Sequence, residues 1–232
     1  MFSVRKKIYG EKNYHVIIVF GGWGMKQWQL WLLGQLFATY HYKAIMYTYD
    51  PTILLGDPEQ VVQRFLELEQ DVLKTLGTLP KREQKNISML GVSLGTIPAF
   101  MVANEIKSVK KLVINLSGSD LAEIVWGWNK GAGSLIKDRL LTQKVTLNEL
   151  QKSWFGLSPI HNLAALPGKK VLLYLANQDK LIPFAYQQQL LQSLKDAQIQ
   201  TEAIINTRHN HLVSMIINLL NFSVYIAFLR NK

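Results

Sequence analysis

Six short runs of β-branched and other apolar residues recur along the chain, and their near-continuous hydrophobicity most limits the folds open to it. They are His15–Phe20, Lys43–Tyr49, Asn86–Leu90, Lys110–Asn115, Lys169–Leu175 and Thr201–Ile205. A strand with one wet face alternates apolar and polar residues, whereas an unbroken apolar run fits a parallel strand covered on both faces. Between the runs lie helical patterns at Gln27–Tyr40, Glu59–Leu76, Leu94–Ile106 and Phe184–Leu194. In the second, Val62, Phe65, Leu68, Val72 and Leu76 recur every third or fourth residue and share one helix face. Strand–helix alternation of this kind predicts a mostly parallel, doubly wound α/β sheet with helices on both faces. Ligands of such sheets bind beyond the carboxyl ends of the strands.

Two segments depart from the rhythm. No strand pattern occurs between Asn115 and Lys169, and residues 117–168 carry Trp126, Trp128, Trp154 and Phe155 with helical stretches at Ser134–Leu141 and Thr146–Ser153. A structureless loop of that length is improbable in a compact domain, so the segment is expected to form a small cap inserted into one domain spanning residues 1–232. Leu212–Leu229 has no charged residue and meets the length of a marginal membrane span. Ser214, Asn218, Asn221 and Tyr225, however, fall on one helical face, which predicts an amphipathic packing helix and no transmembrane segment.

Composition narrows the chemistry. The chain has no cysteine, which excludes disulfides, thiolate nucleophiles and zinc–thiolate sites. No apolar stretch of signal-peptide length follows the basic start, so the expected location is cytoplasmic. Lys and Arg number 26 against 16 Asp and Glu, a net charge of +10. That charge divides evenly between the two halves of the sequence, and Arg5-Lys6-Lys7 and Lys110-Lys111 are its longest clusters. This argues against a nucleic-acid arm and leaves a basic surface that attracts anionic partners or substrates.

The reactive residues stand at the ends of the predicted strands. Gly91-Val92-Ser93-Leu94-Gly95 follows a strand and opens a helix, the context in which a G-x-S-x-G pattern marks a nucleophile on a sharp turn. A serine hydroxyl needs a base, and the base needs an orienting acid. Asp179 follows the run ending at Leu175 and is the leading acid; Asp120, after the strand ending at Asn115, reads as a capping residue. Of five histidines, His15, His41 and His161 read as structural. His211 is the favoured base because Asn210 before it tolerates a positive φ, and His209 is the second candidate. A two-histidine metal site is weak, since no carboxylate lies at ligand spacing. Gly21-Gly22-Trp23-Gly24 ends the first run, where backbone N–H groups of Gly22 or Trp23, with that of Leu94, would form an oxyanion hole. A phosphate cradle is disfavoured because no Gly-Lys-Ser/Thr follows.

Taken in order, Ile17–Gly24, Gly91–Gly95, Leu175–Pro183 and Asn210-His211-Leu212 resemble the α/β-hydrolase superfamily. The resemblance implies the α/β-hydrolase fold, acyl transfer to water through a Ser-His-Asp triad and an acyl-enzyme, and no cofactor. Two departures stand out: Phe20 where many relatives carry a histidine that braces the loop, and Asn210 where glycine usually precedes the catalytic histidine. The expectation is a serine hydrolase of carboxylic esters or thioesters, its substrate a small molecule that the basic charge favours in anionic form. A non-catalytic scaffold on the same fold and an acyltransferase are the alternatives.

Overall fold

A computed structural model describes residues 3–231. Its strands are β1 (Val4–Tyr9), β2 (His15–Phe20), β3 (Tyr42–Tyr49), β4 (Ile87–Val92), β5 (Val109–Asn115), β6 (Lys170–Ala176) and β7 (Gln200–Asn206). They form one sheet in the order β1-β3-β2-β4-β5-β6-β7, with β1 antiparallel to β3 and the other pairs parallel. The six apolar runs correspond to β2–β7. Sequence reading missed β1, in which Val4, Ile8 and Tyr9 bracket Arg5, Lys6 and Lys7. Charged residues suit an edge strand because they oppose pairing with another chain.

The helices are α1 (Gln27–Thr39), α2 (Pro58–Gly77), α3 (Thr96–Glu105), α4 (Leu121–Gly127), α5 (Gly131–Thr142), α6 (Leu147–Ser153), α7 (Phe184–Asp196), α8 (His211–Leu220) and α9 (Phe222–Arg230). Successive strand residues point to opposite sheet faces, and each face has its own apolar layer. Ile18, Phe20, Met89 and Leu173 pack with Leu68, Val72, Phe100 and Leu190 from α2, α3 and α7. Ile17, Val19, Leu90 and Leu172 pack with Leu33, Phe37, Met215 and Tyr225 from α1, α8 and α9. Burial on both sides is why the strands read as continuous apolar runs.

Residues between β5 and β6 build a third apolar cluster. Trp128, Ile136, Leu150 and the fully buried Trp154 pack there with Ile53, Phe65, Leu94 and Ile97. The two helical stretches expected in this segment are α5 and α6; α4, capped by Asp120 through Glu123 N–H (3.0 Å), was not anticipated.

The C-terminal stretch corrects the expectation of one amphipathic helix. It is two helices set 60° apart at Asn221, a residue type that favours chain breaks over helix interiors. The bend lets Phe222 pack on Phe37, with ring centroids 4.7 Å apart. Among the described residues no single helix is long and apolar enough to cross a membrane. The polar residues of α8 face inward: Ser214 Oγ donates to the His209 carbonyl (3.1 Å), and Asn218 Nδ2 donates to Asn115 Oδ1 (2.8 Å). Asn115 in turn donates to the Met215 carbonyl (3.3 Å). These groups are buried, so α8 docks on the sheet through hydrogen bonds as well as Met215, and turns Leu212, Val213, Ile216, Ile217 and Leu220 outward.

This seam is energetically asymmetric. Removing the Asn218 amide leaves the buried Asn115 Oδ1 without its donor, at a cost of about 1–3 kcal/mol. Asn218→Ala is expected to lower the unfolding free energy by that amount, seen as a lower urea midpoint with an unchanged m-value. An unaltered midpoint would show that the seam contributes nothing.

Candidate active site

Strand order reverses between β2 and β4: the chain leaves β2 towards β3 and returns across it to β4. Phe20 and Gly91 are paired there, so the turns after both strands share one crevice. This is the position where open α/β sheets hold ligands.

Ser93 occupies the turn after β4 with φ +50°, a left-handed conformation that a non-glycine residue adopts only under constraint. The constraint is visible in the flanking glycines. A Cβ on Gly95 would lie 2.3 Å from the Phe20 carbonyl oxygen, and one on Gly91 2.6 Å from Thr96 Cα. Residues Ser93–Gly95 form a single 3₁₀ turn before α3, so the helix starts two residues later than its sequence pattern suggested. The Thr96 hydroxyl donates to the Ser93 carbonyl (2.7 Å) and sits 2.9 Å from Ser117 Oγ, holding the turn from below.

His211 and Asp179 meet this serine. His211 Nε2 lies 3.0 Å from Ser93 Oγ, and His211 Nδ1 lies 2.6 Å from Asp179 Oδ2. Asp179 is buried and accepts from the backbone N–H groups of Leu181 (2.8 Å) and Ile182 (2.9 Å), with Gln187 Nε2 donating at 3.3 Å. These donors stabilise a carboxylate in an apolar setting. A carboxylate at Nδ1 favours the tautomer protonated there, in which Nε2 is free to accept a hydrogen bond.

His209 takes no part in this chain of contacts. Its N–H donates to Asn206 Oδ1 (3.2 Å), and its carbonyl receives the Ser214 hydroxyl. Asn210 does not adopt the positive φ expected of it: its φ is −72°, and it serves as the helix cap, accepting from Val213 N–H (3.1 Å). Capping places His211 at the first position of α8, where its side chain turns back over Ser93. His41 does sit at positive φ, in the turn before β3, and His161 stacks on Phe155. Among the described residues, no group of three or more His, Asp or Glu is arranged to hold a metal.

The glycine turn after β2 stands opposite the serine. Gly22 N–H is directed at Met25 Sδ (3.0 Å), while Trp23 lines the same cavity as Ser93 and Leu94. Trp23 is fixed on both sides: its ring stacks on Trp128, and its Nε1–H donates to the Pro51 carbonyl (2.7 Å). Sequence reasoning missed Tyr49, whose hydroxyl donates to the Gly21 carbonyl and braces the turn that Phe20 cannot. Burial raises the Tyr49 phenol far above its usual range, so it remains a donor. Gln187 was also missed. Fully buried on α7, it clamps the Asp179 loop through Ala176 and Ile182. A glutamine in register with Leu190 and Leu194 was the available signal.

The cavity has a volume of about 510 Å³. Its wall is apolar, drawn from Leu54, Ile97, Leu121, Ile124, Ile182 and Met215 among others, with Trp128 at one side and Lys180 as its only lysine or arginine. Of the four aromatics noted in residues 117–168, Trp128 lines this cavity. Trp154 is core, its Nε1–H donating to the Pro58 carbonyl (3.1 Å), and Trp126 and Phe155 lie outside the cavity.

No family description and no curated protein matches the sequence. Solved structures do. An acylaminoacyl peptidase of Pyrococcus horikoshii superposes with a TM-score of 0.69 at 17% identity, over 95% of this chain. The chain spans 37% of that peptidase's length. Acetyl xylan esterase 1 from a Thermoanaerobacterium species gives 0.69 at 13% identity, covering 99% of this chain and 80% of the esterase. This chain has the α/β-hydrolase fold. A dienelactone hydrolase described as putative, from Klebsiella pneumoniae, matches along its whole length (99% of this chain, 100% of the other) with a TM-score of 0.59 at 13% identity. At such identities the likeness is one of architecture.

The elbow generates a test of its own geometry. Gly95→Ala must displace the backbone of Phe20 and Gly21 and is expected to destabilise the protein by about 1–3 kcal/mol, the usual range for overpacking. Urea unfolding measures this, and a wild-type midpoint would show that the elbow has room for a side chain.

Proposed function

We propose that the protein is a serine hydrolase of carboxylic esters or thioesters. The observation that carries this reading is the continuous relay from Ser93 Oγ through His211 to the buried Asp179 (3.0 and 2.6 Å) at the mouth of an apolar cavity. In the proposed reaction Ser93 Oγ attacks the acyl carbon and its proton passes to His211 Nε2. Asp179 holds the imidazolium that results. The developing oxyanion is met by the N–H groups of Trp23 and Leu94; Gly22 is the weaker candidate because its N–H faces Met25. His211 then protonates the leaving alcohol or thiol. Water then attacks the acyl carbon as it gives one proton to Nε2; the acyl–Oγ bond breaks, Nε2 returns that proton to Ser93 Oγ, and the acid leaves.

Several features favour esters and thioesters over peptides. The cavity wall offers an acyl chain apolar contact along its length. Lys180 adds one positive charge at the cavity, which suits a substrate carrying an anionic group. Residues 117–168 act in this reading as a cap that supplies Leu121, Ile124 and Trp128 to the acyl site.

Members of such a relay act as a unit, so each removal costs most of the activity. Ser93→Ala is expected to abolish turnover of short activated esters and labelling by a fluorophosphonate, with an unchanged circular dichroism spectrum. His211→Ala should lower kcat by about 10³-fold or more, whereas His209→Ala should cost at most about tenfold. Asp179→Asn should impair strongly and Asp120→Asn should not. Retained turnover in Ser93→Ala would end the hydrolase reading, and the opposite histidine ranking would move the base to His209.

Substrate class is read from a panel of p-nitrophenyl esters and acyl thioesters of increasing length. Activity should rise from acetyl to medium chains and exceed that on matched amides. A preference for amides or for cationic substrates would overturn the assignment. Product partitioning with added alcohol would expose an acyltransferase.

A further inference from the structure

The outer surface of α8 is the inverse of what a soluble helix presents. Its polar Ser214 and Asn218 are buried, while Leu212 (58% exposed), Val213, Ile216, Ile217 and Leu220 (75% exposed) face solvent. On the same side of the sheet, α1 exposes Trp28 (64%), Trp31 and Leu32. Between them α9 contributes the exposed Ser223 and Ala227. Scattered apolar residues need no explanation, but clustering on the helices of one layer marks a contact surface.

Charge identifies what that surface contacts. No Asp or Glu occurs between Glu11 and Asp50, the stretch that contains α1, nor anywhere after Glu202, the stretch that contains α8 and α9. The charged residues that flank the two helices in sequence are basic: Lys26 at the start of α1 and Arg208 before α8, both exposed; the nearest carboxylate on this face of the sheet is the exposed Glu202 of the edge strand β7. Apolar helix faces that carry tryptophan on α1, basic residues at their starts and no carboxylate of their own have the make-up of elements that lie in the headgroup region of an anionic bilayer. A second copy of this chain is a poorer partner. A twofold interface would bring Lys26 and Arg208 against one another's basic surroundings with no carboxylate from either segment. A membrane span is excluded by packing, since Phe222, Tyr225, Ile226, Phe228 and Leu229 of α9 are buried in the core.

We propose that the outer faces of α8 and α1 dock the protein on an anionic lipid surface. Position gives the docking a use. Leu212 and Met215 of α8 line the Ser93 cavity, so its mouth lies beside the lipid and an acyl chain enters without crossing bulk water. The docking itself does not depend on hydrolysis, and its test reads binding alone.

The test is sedimentation of the full chain with vesicles of phosphatidylcholine and phosphatidylglycerol in equal parts, beside vesicles of phosphatidylcholine only. Wild type is expected to partition onto the mixed vesicles and to lose that partition as salt is raised. Ile217→Gln/Leu220→Gln and Lys26→Glu/Arg208→Glu should each weaken it by about tenfold or more, with wild-type circular dichroism. All four positions are exposed, so the substitutions do not disturb the core. Ser93→Ala should bind as wild type does, which separates failure of the docking from failure of the hydrolase reading. The proposal is overturned if wild type stays in the supernatant, or if the apolar double variant binds as tightly as wild type. It is also overturned if light scattering shows a dimer that this variant dissociates, because a second copy would then cover the face.

Discussion

Everything at the candidate site depends on how closely the turn after β4 approaches the turn after β2. Gly95 stands against the Phe20 and Gly21 carbonyls with no space for a side chain. That contact forces Ser93 into its left-handed conformation and aims its hydroxyl out of the sheet. Strain of this kind costs about 1–3 kcal/mol and persists only where its surroundings over-determine it. Here they do: β4 is fully buried, α3 is almost fully buried, and the Thr96 hydroxyl ties the Ser93 carbonyl to its own helix.

The two partners of the serine are set by different physics. Asp179 is held by local hydrogen bonds from its own turn and from Gln187, so its position follows from about a dozen residues of contiguous chain. His211 arrives from much further along the sequence and is placed by a helix start, with Asn210 capping α8 and the Asn115–Asn218 bond tying α8 to β5. The serine–histidine contact therefore depends on the buried amide seam as well as on the elbow. The Gly21–Trp23 turn is held in yet another way, from outside, by Tyr49 and Pro51.

What was legible in the sequence follows from range. Strands buried on two faces announce themselves through unbroken apolar runs, and the G-x-S-x-G turn through a steric demand confined to five residues. Both are local. β1 was not legible because an edge strand made of Arg5, Lys6 and Lys7 has the composition of a solvated tail. Tyr49 and Gln187 were missed because each acts on backbone far away or around a turn, which side-chain spacing does not encode. His211 was selected over His209 for a backbone torsion that Asn210 does not adopt, so the choice rested on a wrong premise. The stripe of Ser214, Asn218, Asn221 and Tyr225 was read as one face of a single amphipathic helix, but the break at Asn221 divides it between α8 and α9, and Ser214, Asn218 and Tyr225 are buried. Hydrophobic patterning assumes that polar means outward. α8 breaks the assumption because Asn115 offers it a buried amide partner.

The placement of His211 at the first residue of α8 joins two properties that usually belong to separate parts of a molecule. The imidazole that faces Ser93 and the exposed leucine and isoleucine side chains occupy one ten-residue rigid rod. A rod transmits tilt and translation along its whole length. A small displacement imposed at Leu220 reaches Nε2 as a change in its distance to Ser93 Oγ, with no intervening loop to absorb it. In that mechanical sense α8 is a lever with an imidazole at one end and a greased grip along the other.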